Sequence, residues 1–137
     1  MRKSLQFIPS VLIASLVLEA PAASPPPAPL AVVNRRMELY NNHDVEAMLA
    51  LYSADVTIFT YPDTRLGAGK DHMRKVLHEI FADGDVRVAI TRQMLIDGYV
   101  INEELVSYAG KPTKYVSIYE VRNGLITSVR FVRDRKP

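Results

Sequence analysis

Two dipeptides that favour tight turns, Asp97-Gly98 and Asn123-Gly124, divide residues 86–132 of the 137-residue chain into β-rich segments. Asp-Gly and Asn-Gly favour two-residue hairpins because their residues tolerate positive φ angles. So short a connection joins antiparallel neighbours only, since a parallel crossover needs a much longer segment. With a loop at Gly110-Lys111-Pro112, the pattern predicts an antiparallel meander with strands at 86–96, 99–108, 113–122 and 125–132.

The preceding part of the chain is predicted to be mainly helical. Apolar residues recur at helical spacing over 30–42, at Leu30, Val33, Met37 and Tyr40. A second short helix is predicted after an Asp44 N-cap, with Val45, Met48, Leu49 and Tyr52 on its apolar face. A third is predicted after an Asp71 cap, with Met73, Val76, Leu77, Ile80 and Phe81 facing the core.

Residues 56–61, between the second and third helices, are β-branched and aromatic and therefore predict a strand. Pro62-Asp63 is expected to turn the chain, and Gly67 and Gly69 to keep the next stretch irregular. Helices gathered ahead of a curved antiparallel meander indicate an α+β fold.

Composition excludes several functional classes. Hydrophobic residues make up 48% of the chain and charged residues 23%, which is typical of a globular protein. A net charge of +2 is too small for a nucleic-acid binder that works by neutralising phosphates. The chain has no Cys, which excludes disulfides, thiolate nucleophiles and Cys-ligated metals. Neither a metal nor a cofactor is expected, because His72 and His78 lie six residues apart and face different sides of their helix.

The first residues predict export. A positive start at Arg2 and Lys3 precedes an apolar run over residues 5–18 and the small residues Ala20-Pro21-Ala22, as in a secretory signal peptide. The run is shorter than the roughly 20 residues that a membrane-spanning helix needs. We expect a signal peptide over 1–22, a mature chain that begins near Ala23 outside the cytoplasm (periplasmic or secreted), and a stiff proline-rich linker over 23–29. An uncleaved signal that anchors the chain in the membrane is the alternative.

Residues 40–56, with Tyr40-Asn41-Asn42-His43-Asp44 and Leu51-Tyr52-Ser53-Ala54-Asp55-Val56, resemble the opening of NTF2-like (SnoaL-like) domains. Gly69-Lys70-Asp71-His72-Met73-Arg74 is similar to that family's start of helix three, and Asn123-Gly124-Leu125-Ile126 to its hairpin. The resemblance implies a domain over 30–134 with an NTF2-like cone, in which three N-terminal helices pack on a curved antiparallel sheet and enclose a pocket.

Some members of this superfamily are ketosteroid isomerases, whose catalytic residues can be compared one by one. The resemblance puts their helix-one tyrosine at Arg36, their general-base Asp at Thr60 or Tyr61, and their second Asp at Ser117. A carboxylate base and a neutral acid carry out that reaction, and this chain has neither at these positions. Steroid isomerisation is therefore not expected.

Strand alternation, aligned with the family, suggests which residues line the pocket. Glu104 is the one carboxylate expected to face inward from the sheet, and burial would suit it to a role as general acid or base. Two alternatives stay open: Glu103 and Glu104 are a solvated pair, or Glu104 pairs with Arg130 or Arg133. The predicted ligand-binding residues are Tyr40, Tyr61, Asn102, Tyr115, Ser117, Tyr119 and Phe131.

Two functions follow from these expectations. The first is an exported module that binds a small apolar or aromatic molecule in the cone. The second is a cofactor-independent lyase or isomerase that uses Glu104. A homodimer through the outer sheet face is also expected, because Ile101, Leu105, Val116 and Ile118 would otherwise leave an apolar patch exposed.

Overall fold

The computed structural model describes residues 18–133, which form one sheet and three helices. The elements in chain order are α1 (Pro29–Asn41), α2 (Val45–Leu49), β1 (Tyr52–Thr60), β2 (Thr64–Ala68), α3 (Lys70–Ala82), β3 (Val86–Ile96), β4 (Tyr99–Tyr108), β5 (Lys111–Arg122) and β6 (Leu125–Arg133). The α+β class predicted from the sequence is confirmed.

The sheet has six strands in the order β2-β1-β6-β5-β4-β3. Strands β3 to β6 are the predicted antiparallel meander. One neighbouring pair departs from the expected antiparallel arrangement: β1 runs parallel to β6. Because most of the domain lies between these two strands in sequence, the connection is long enough for a parallel pairing.

The two predicted hairpin turns have the backbone that their sequences favour. Asp97 and Gly98 have φ angles of 42° and 78°, and Asn123 and Gly124 have φ angles of 50° and 77°. Gly124 also lies against the proline-rich segment, since a Cβ atom placed on it would come within 2.7 Å of Pro27. This end of the segment therefore packs on the β5–β6 turn.

Two of the predictions about the helices differ from the structure. Strand β1 begins at Tyr52, so this tyrosine belongs to the sheet rather than to the helix that ends at Leu49. Asp44 does cap α2 through the Ala47 amide, as predicted. Asp71 does not cap α3, because the helix begins at Lys70 and Gly69 occupies the N-cap position, two residues before the predicted cap. The Asp71 carboxylate instead accepts a hydrogen bond from Arg74 at 2.7 Å.

Residues 64–68, expected to be irregular, form strand β2. This strand pairs with the end of β1 and lies at the edge of the sheet. The segment Thr64-Arg65-Leu66-Gly67-Ala68 has, apart from Thr64, none of the β-branched and aromatic residues that indicate a strand, so it was not predicted as one. It is extended because its backbone forms hydrogen bonds with β1.

The sheet curves around the helices and buries its concave face. Register shifts in β3 (between Ile90 and Arg92) and in β5 (between Glu120 and Val121) are irregularities of the kind that bend a strand. Helix α1 lies across β3 to β6. The Asn41 side chain fixes its C-terminal end by accepting from the Val88 amide at 2.8 Å and donating to the Val88 carbonyl at 2.9 Å.

Most of the signal peptide predicted over 1–22 lies outside the described residues. Between residues 18 and 133, no helix is both long and apolar enough to cross a membrane.

Candidate functional site

A cavity of about 250 Å³ lies between the concave face of the sheet and helices α1 and α3. Its wall is mainly apolar, with a charged or hydrogen-bonding group at a few positions. The lining residues are Arg36, Tyr40, Ile58, Leu66, His72, Met73, Val76, Leu77, Ile80, Val88, Glu104, Val106, Tyr108, Tyr115 and Phe131. An apolar wall with few polar groups is typical of small-molecule sites.

Glu104 on β4 is the buried carboxylate of this cavity, with 3% of its surface exposed. Three neighbours donate hydrogen bonds to it: Asn102 Nδ2 and Tyr119 Oη to Oε1 at 3.1 and 3.0 Å, and Ser117 Oγ to Oε2 at 2.9 Å. An ionised carboxylate can only accept hydrogen bonds, and both of its oxygens are supplied here. Both oxygens of this buried carboxyl group are therefore hydrogen-bonded within the domain.

Strand register explains how these donors meet. Asn102 is two residues before Glu104 on β4, so both side chains point to the same face. Asn102 lies opposite Ser117 on β5, and Tyr119 follows two residues later on that strand. A second hydrogen bond fixes the orientation of the Asn102 amide, because its Oδ1 accepts from Gln93 Nε2 at 2.9 Å. Its Nδ2 is thereby directed at Glu104.

Arg36 on α1 brings a positive charge to the same cavity, although only 5% of its surface is exposed. Its Nε donates to the Tyr52 hydroxyl at 2.7 Å. The guanidinium lies 5.4 Å from the centre of the Tyr40 ring and 5.1 Å from that of the Tyr119 ring. The aromatic faces attract the cation and hold its plane in place.

The buried charged groups and hydroxyls shift one another's pKa values. Burial by itself lowers the pKa of Arg36, but attraction to Tyr119, Tyr52 and Glu104 outweighs it and raises that pKa. Burial also raises the pKa of Tyr119 well above its ordinary value, against the opposing effect of Arg36. At neutral pH the site thus holds a fixed cation next to a protonated phenol that donates to Glu104.

The predicted ligand-binding residues fall into three groups. Glu104, Tyr40, Tyr115 and Phe131 line the cavity. Asn102, Ser117 and Tyr119 are fully buried, lie outside the lining and donate to Glu104. Tyr61 is 61% exposed and does not line the cavity, because β1 ends at Thr60 and the chain turns there toward solvent. Binding by these residues stays a prediction, and the position of Tyr61 does not favour it.

Neither alternative for Glu104 matches the structure. Glu103 points to the opposite face, where its carboxylate accepts from Thr91 at 2.8 Å and pairs with Lys114 at 3.7 Å. Arg130 pairs with Asp63 at 3.6 Å. Within residues 18–133 no Lys, Arg or His nitrogen lies within 4.0 Å of the Glu104 carboxylate, so neither Arg130 nor Arg133 pairs with it.

Four residues that bring polar groups to the site were not among the predicted site residues: Arg36, Tyr52, His72 and Tyr108. Arg36 follows Val33 by three residues and precedes Tyr40 by four, so helical spacing alone puts it on the buried face. His72 lines the cavity, and Gly67 makes room for it, since a Cβ atom on Gly67 would overlap the imidazole ring. Across residues 18–133 no three His, Cys, Asp or Glu side chains lie close enough to hold a metal.

We expect the stability of the domain to fall at alkaline pH. Burial raises the pKa of Tyr40 to about 12, opposed by Arg36, against about 10 in an unfolded chain. The folded state therefore binds more protons in this window. The stabilising effect is complete below about pH 10 and is lost as the pH rises through about 12, with a slope below about 1.4 kcal/mol per pH unit for one tyrosine.

Urea unfolding followed across this pH window measures the slope. Tyr40→Phe should make the dependence of the unfolding free energy on pH shallower. Tyr119, whose pKa is also raised, should account for part of the remaining slope. An equal slope in the wild type and the variant would show that Tyr40 is not protected in the folded state.

The comparisons with known proteins agree with this geometry. The sequence matches the SnoaL-like domain family over residues 33–129. No curated protein sequence matches the chain. Three solved structures have similar folds, each under 25% identical to this chain, so these likenesses show the fold alone.

An uncharacterised cystatin-fold protein from Novosphingobium aromaticivorans is 22% identical with a TM-score of 0.72, over 78% of this chain and 99% of its own. An NTF2-like protein of unknown function from Cytophaga hutchinsonii is 14% identical with a TM-score of 0.67, over 78% and 90%. A de novo designed protein with a curved β-sheet is 23% identical with a TM-score of 0.66, over 77% and 84%. The resemblance found in the sequence is thus confirmed, and the chain belongs to the SnoaL-like domain family, with the NTF2-like fold.

Proposed function

We propose that this protein is an exported module that binds a small apolar or aromatic molecule in its cavity. The cavity between α1, α3 and the sheet carries the proposal, because its wall is apolar and a few polar groups converge on it. A volume of about 250 Å³ lies just below the usual range for ligand sites, which starts at roughly 300 Å³. The ligand is therefore expected to be small.

Native mass spectrometry of protein purified from its own host tests this proposal, since a bound apolar molecule would be retained. Val76→Phe adds bulk to the cavity wall from α3 and should abolish retention of the ligand. Leu125→Phe is the matched control, because Leu125 lies on a hairpin away from the cavity and is 38% exposed. Wild-type protein that retains nothing and takes up no apolar dye would contradict the proposal.

A cofactor-independent lyase or isomerase is the second candidate. The observation that favours it is a buried carboxylate, Glu104, which lines an apolar cavity together with the Tyr40 side chain. A carboxylate can take a proton from a bound molecule, and a phenol can supply one. Three hydrogen bonds already engage both oxygens of Glu104 inside the domain, which is why binding is the first candidate.

Glu104→Gln distinguishes the two candidates, because it keeps the shape of the side chain and removes its proton chemistry. For an enzyme the turnover of the identified ligand should fall by about 10²-fold or more, with a smaller effect on affinity. For a binding module the affinity should change little and no turnover should be detectable in either protein.

Export is proposed on the charged start, the short apolar run and Ala20-Pro21-Ala22. N-terminal sequencing of protein from the host should find a chain that begins near Ala23 outside the cytoplasm. Intact Met1 on membrane-held protein would contradict cleavage and favour the uncleaved anchor.

A homodimer is proposed on the outer face of the sheet. Ile101 lies opposite Met94 on β3 and Ile118 on β5, so apolar side chains continue across three strands. Met94 is 57% exposed, and Ile101 and Ile118 are half-buried. Covering this face with a second copy would remove that surface from water. Sedimentation that finds only monomer at about ten micromolar, a range where weak interfaces fail, would contradict the dimer.

A further inference from the structure

Arg36 reaches the cavity with part of its guanidinium unused. Its Nε donates to the Tyr52 hydroxyl, and its Nη1 donates to the sulfur of Met37, a weak acceptor, at 3.5 Å. Within the described part of the chain, Nη2 has no hydrogen-bond acceptor, and no carboxylate oxygen lies within 4.0 Å of the guanidinium nitrogens. Among residues 18–133, the one fully enclosed side-chain N or O atom without a partner is Ser53 Oγ, so Nη2 is not sealed off, and Arg36 is one of the residues that line the cavity.

Three tyrosines line the same cavity, Tyr40, Tyr108 and Tyr115, and Tyr108 is 41% exposed at its edge. None of the three hydroxyls forms a hydrogen bond with another group in residues 18–133, and none is enclosed. Burial raises the pKa of Tyr40 and that of Tyr108, so these two phenols stay protonated and able to donate at neutral pH. Their hydroxyls are available to a ligand.

The one carboxylate of the cavity is already supplied with donors. Both oxygens of Glu104 accept hydrogen bonds from Asn102, Ser117 and Tyr119. The side-chain groups of the lining that have no hydrogen-bond partner in residues 18–133 are the guanidinium edge of Arg36, which can only donate, and the tyrosine hydroxyls and the His72 imidazole, which can donate or accept. A bound molecule with acceptor oxygens can therefore be held by the guanidinium and by the hydroxyls together.

We propose that the ligand is a small apolar molecule with one carboxylate, bound through Arg36 and the hydroxyls of Tyr40, Tyr108 and Tyr115. This inference rests on the proposed small-molecule binding and names the chemical class of the ligand. A planar guanidinium matches the geometry of a carboxylate, and such charge-assisted hydrogen bonds are stronger than those to a neutral carbonyl. The apolar body of the molecule packs against Ile58 and against Val76, Leu77 and Ile80 of α3.

A matched ligand series measured by calorimetry on the full-length mature protein tests the inference. Cinnamate, cinnamamide and cinnamyl alcohol share one apolar body and differ in the polar head. Cinnamate is expected to bind about tenfold or more tightly than the other two, because hydrogen bonds to charged groups exceed those to neutral groups by at least that factor. Equal or tighter binding of the amide or the alcohol would overturn the carboxylate inference and leave the proposed binding function standing. No binding of any of the three would overturn both for ligands of this size.

Variants assign the selectivity to residues. Arg36→Gln should bring the affinities for cinnamate and cinnamamide to within about threefold of each other, since the charge-assisted contacts are lost. Because this variant removes a buried group and can fail to fold, Tyr115→Phe provides a second test: it should weaken cinnamate binding by about threefold or more. Tyr99→Phe is the control, because the Tyr99 hydroxyl donates to Glu120 outside the cavity. An effect of Tyr99→Phe as large as that of Tyr115→Phe, or cinnamate selectivity that survives Arg36→Gln, would overturn the inference.

Discussion

Replacing Glu104 by leucine should lower the free energy of unfolding by about 3–5 kcal/mol, the usual cost of breaking a buried charged cluster by removing one partner. Only 3% of the surface of Glu104 is exposed, and its carboxylate accepts hydrogen bonds from Asn102, Ser117 and Tyr119. Leucine would leave these three donors without an acceptor and Arg36 without its nearby negative charge. Urea unfolding followed by circular dichroism measures the loss.

Glu103 provides the matched control, since it is the adjacent residue with the same side chain on the other face of β4. Its carboxylate contacts Thr91 and Lys114 near solvent, where ion pairs contribute little to stability. Glu103→Leu should therefore leave the unfolding midpoint almost unchanged. Similar losses for both leucine variants would show that the hydrogen-bonded cluster around Glu104 does not stabilise the fold.

The sequence was sufficient for the parts of the fold that local chemistry determines. Asp97-Gly98 and Asn123-Gly124 require positive φ angles, so the meander could be predicted from these two dipeptides. Alternation along β4 and β5 put Asn102 and Glu104 on one face of their strand and left Ser117 to share a face with Tyr119, and the family resemblance indicated that this is the face toward the pocket. Turn geometry and period can be read from one chain, whereas the choice of the buried face depended on the resemblance.

The sequence was insufficient where tertiary contacts decide. The parallel pairing of β1 with β6 joins segments that are distant in sequence, and no local pattern indicates it. Tyr52 matched the apolar spacing of a helix, yet it lies in β1, where it accepts a hydrogen bond from Arg36. Its assignment depended on where α2 ends, and helix ends are the least certain feature of a sequence pattern.

Arg36 shows that a site residue can be missed when its residue type is usually found at the surface. Arginine is usually exposed, so a charged residue on a helix is assigned to the solvent side unless its spacing is examined. Here its position relative to Val33 and Tyr40 puts it on the buried face, and the rings of Tyr40 and Tyr119 surround it. The resemblance to ketosteroid isomerases also pointed to this residue. It aligned their helix-one tyrosine, which belongs to the catalytic site, with Arg36.

The coupling between Arg36 and Glu104 can be measured directly by a double-mutant cycle. Arg36→Leu alone should destabilise the fold by about 3–5 kcal/mol, because it leaves the Glu104 charge buried without a counter-charge and removes the donor to Tyr52. Once Arg36 is gone, removing Glu104 relieves that uncompensated charge. The double variant should therefore be more stable than the sum of the two single losses predicts, by about 1–3 kcal/mol.

Among the described residues no guanidinium nitrogen of Arg36 lies within 4.0 Å of a Glu104 carboxylate oxygen, so this coupling acts through the electric field rather than through a shared hydrogen bond. The attraction of Glu104 that helps to raise the pKa of Arg36 is the same interaction. Combining Arg36→Leu with Glu103→Leu gives the control cycle, which should be additive because Glu103 faces away from the cavity. Additivity in both cycles would mean that Asn102, Ser117 and Tyr119 neutralise the field of Glu104 on their own, and that Arg36 is held in the cavity by its aromatic neighbours and Tyr52 instead.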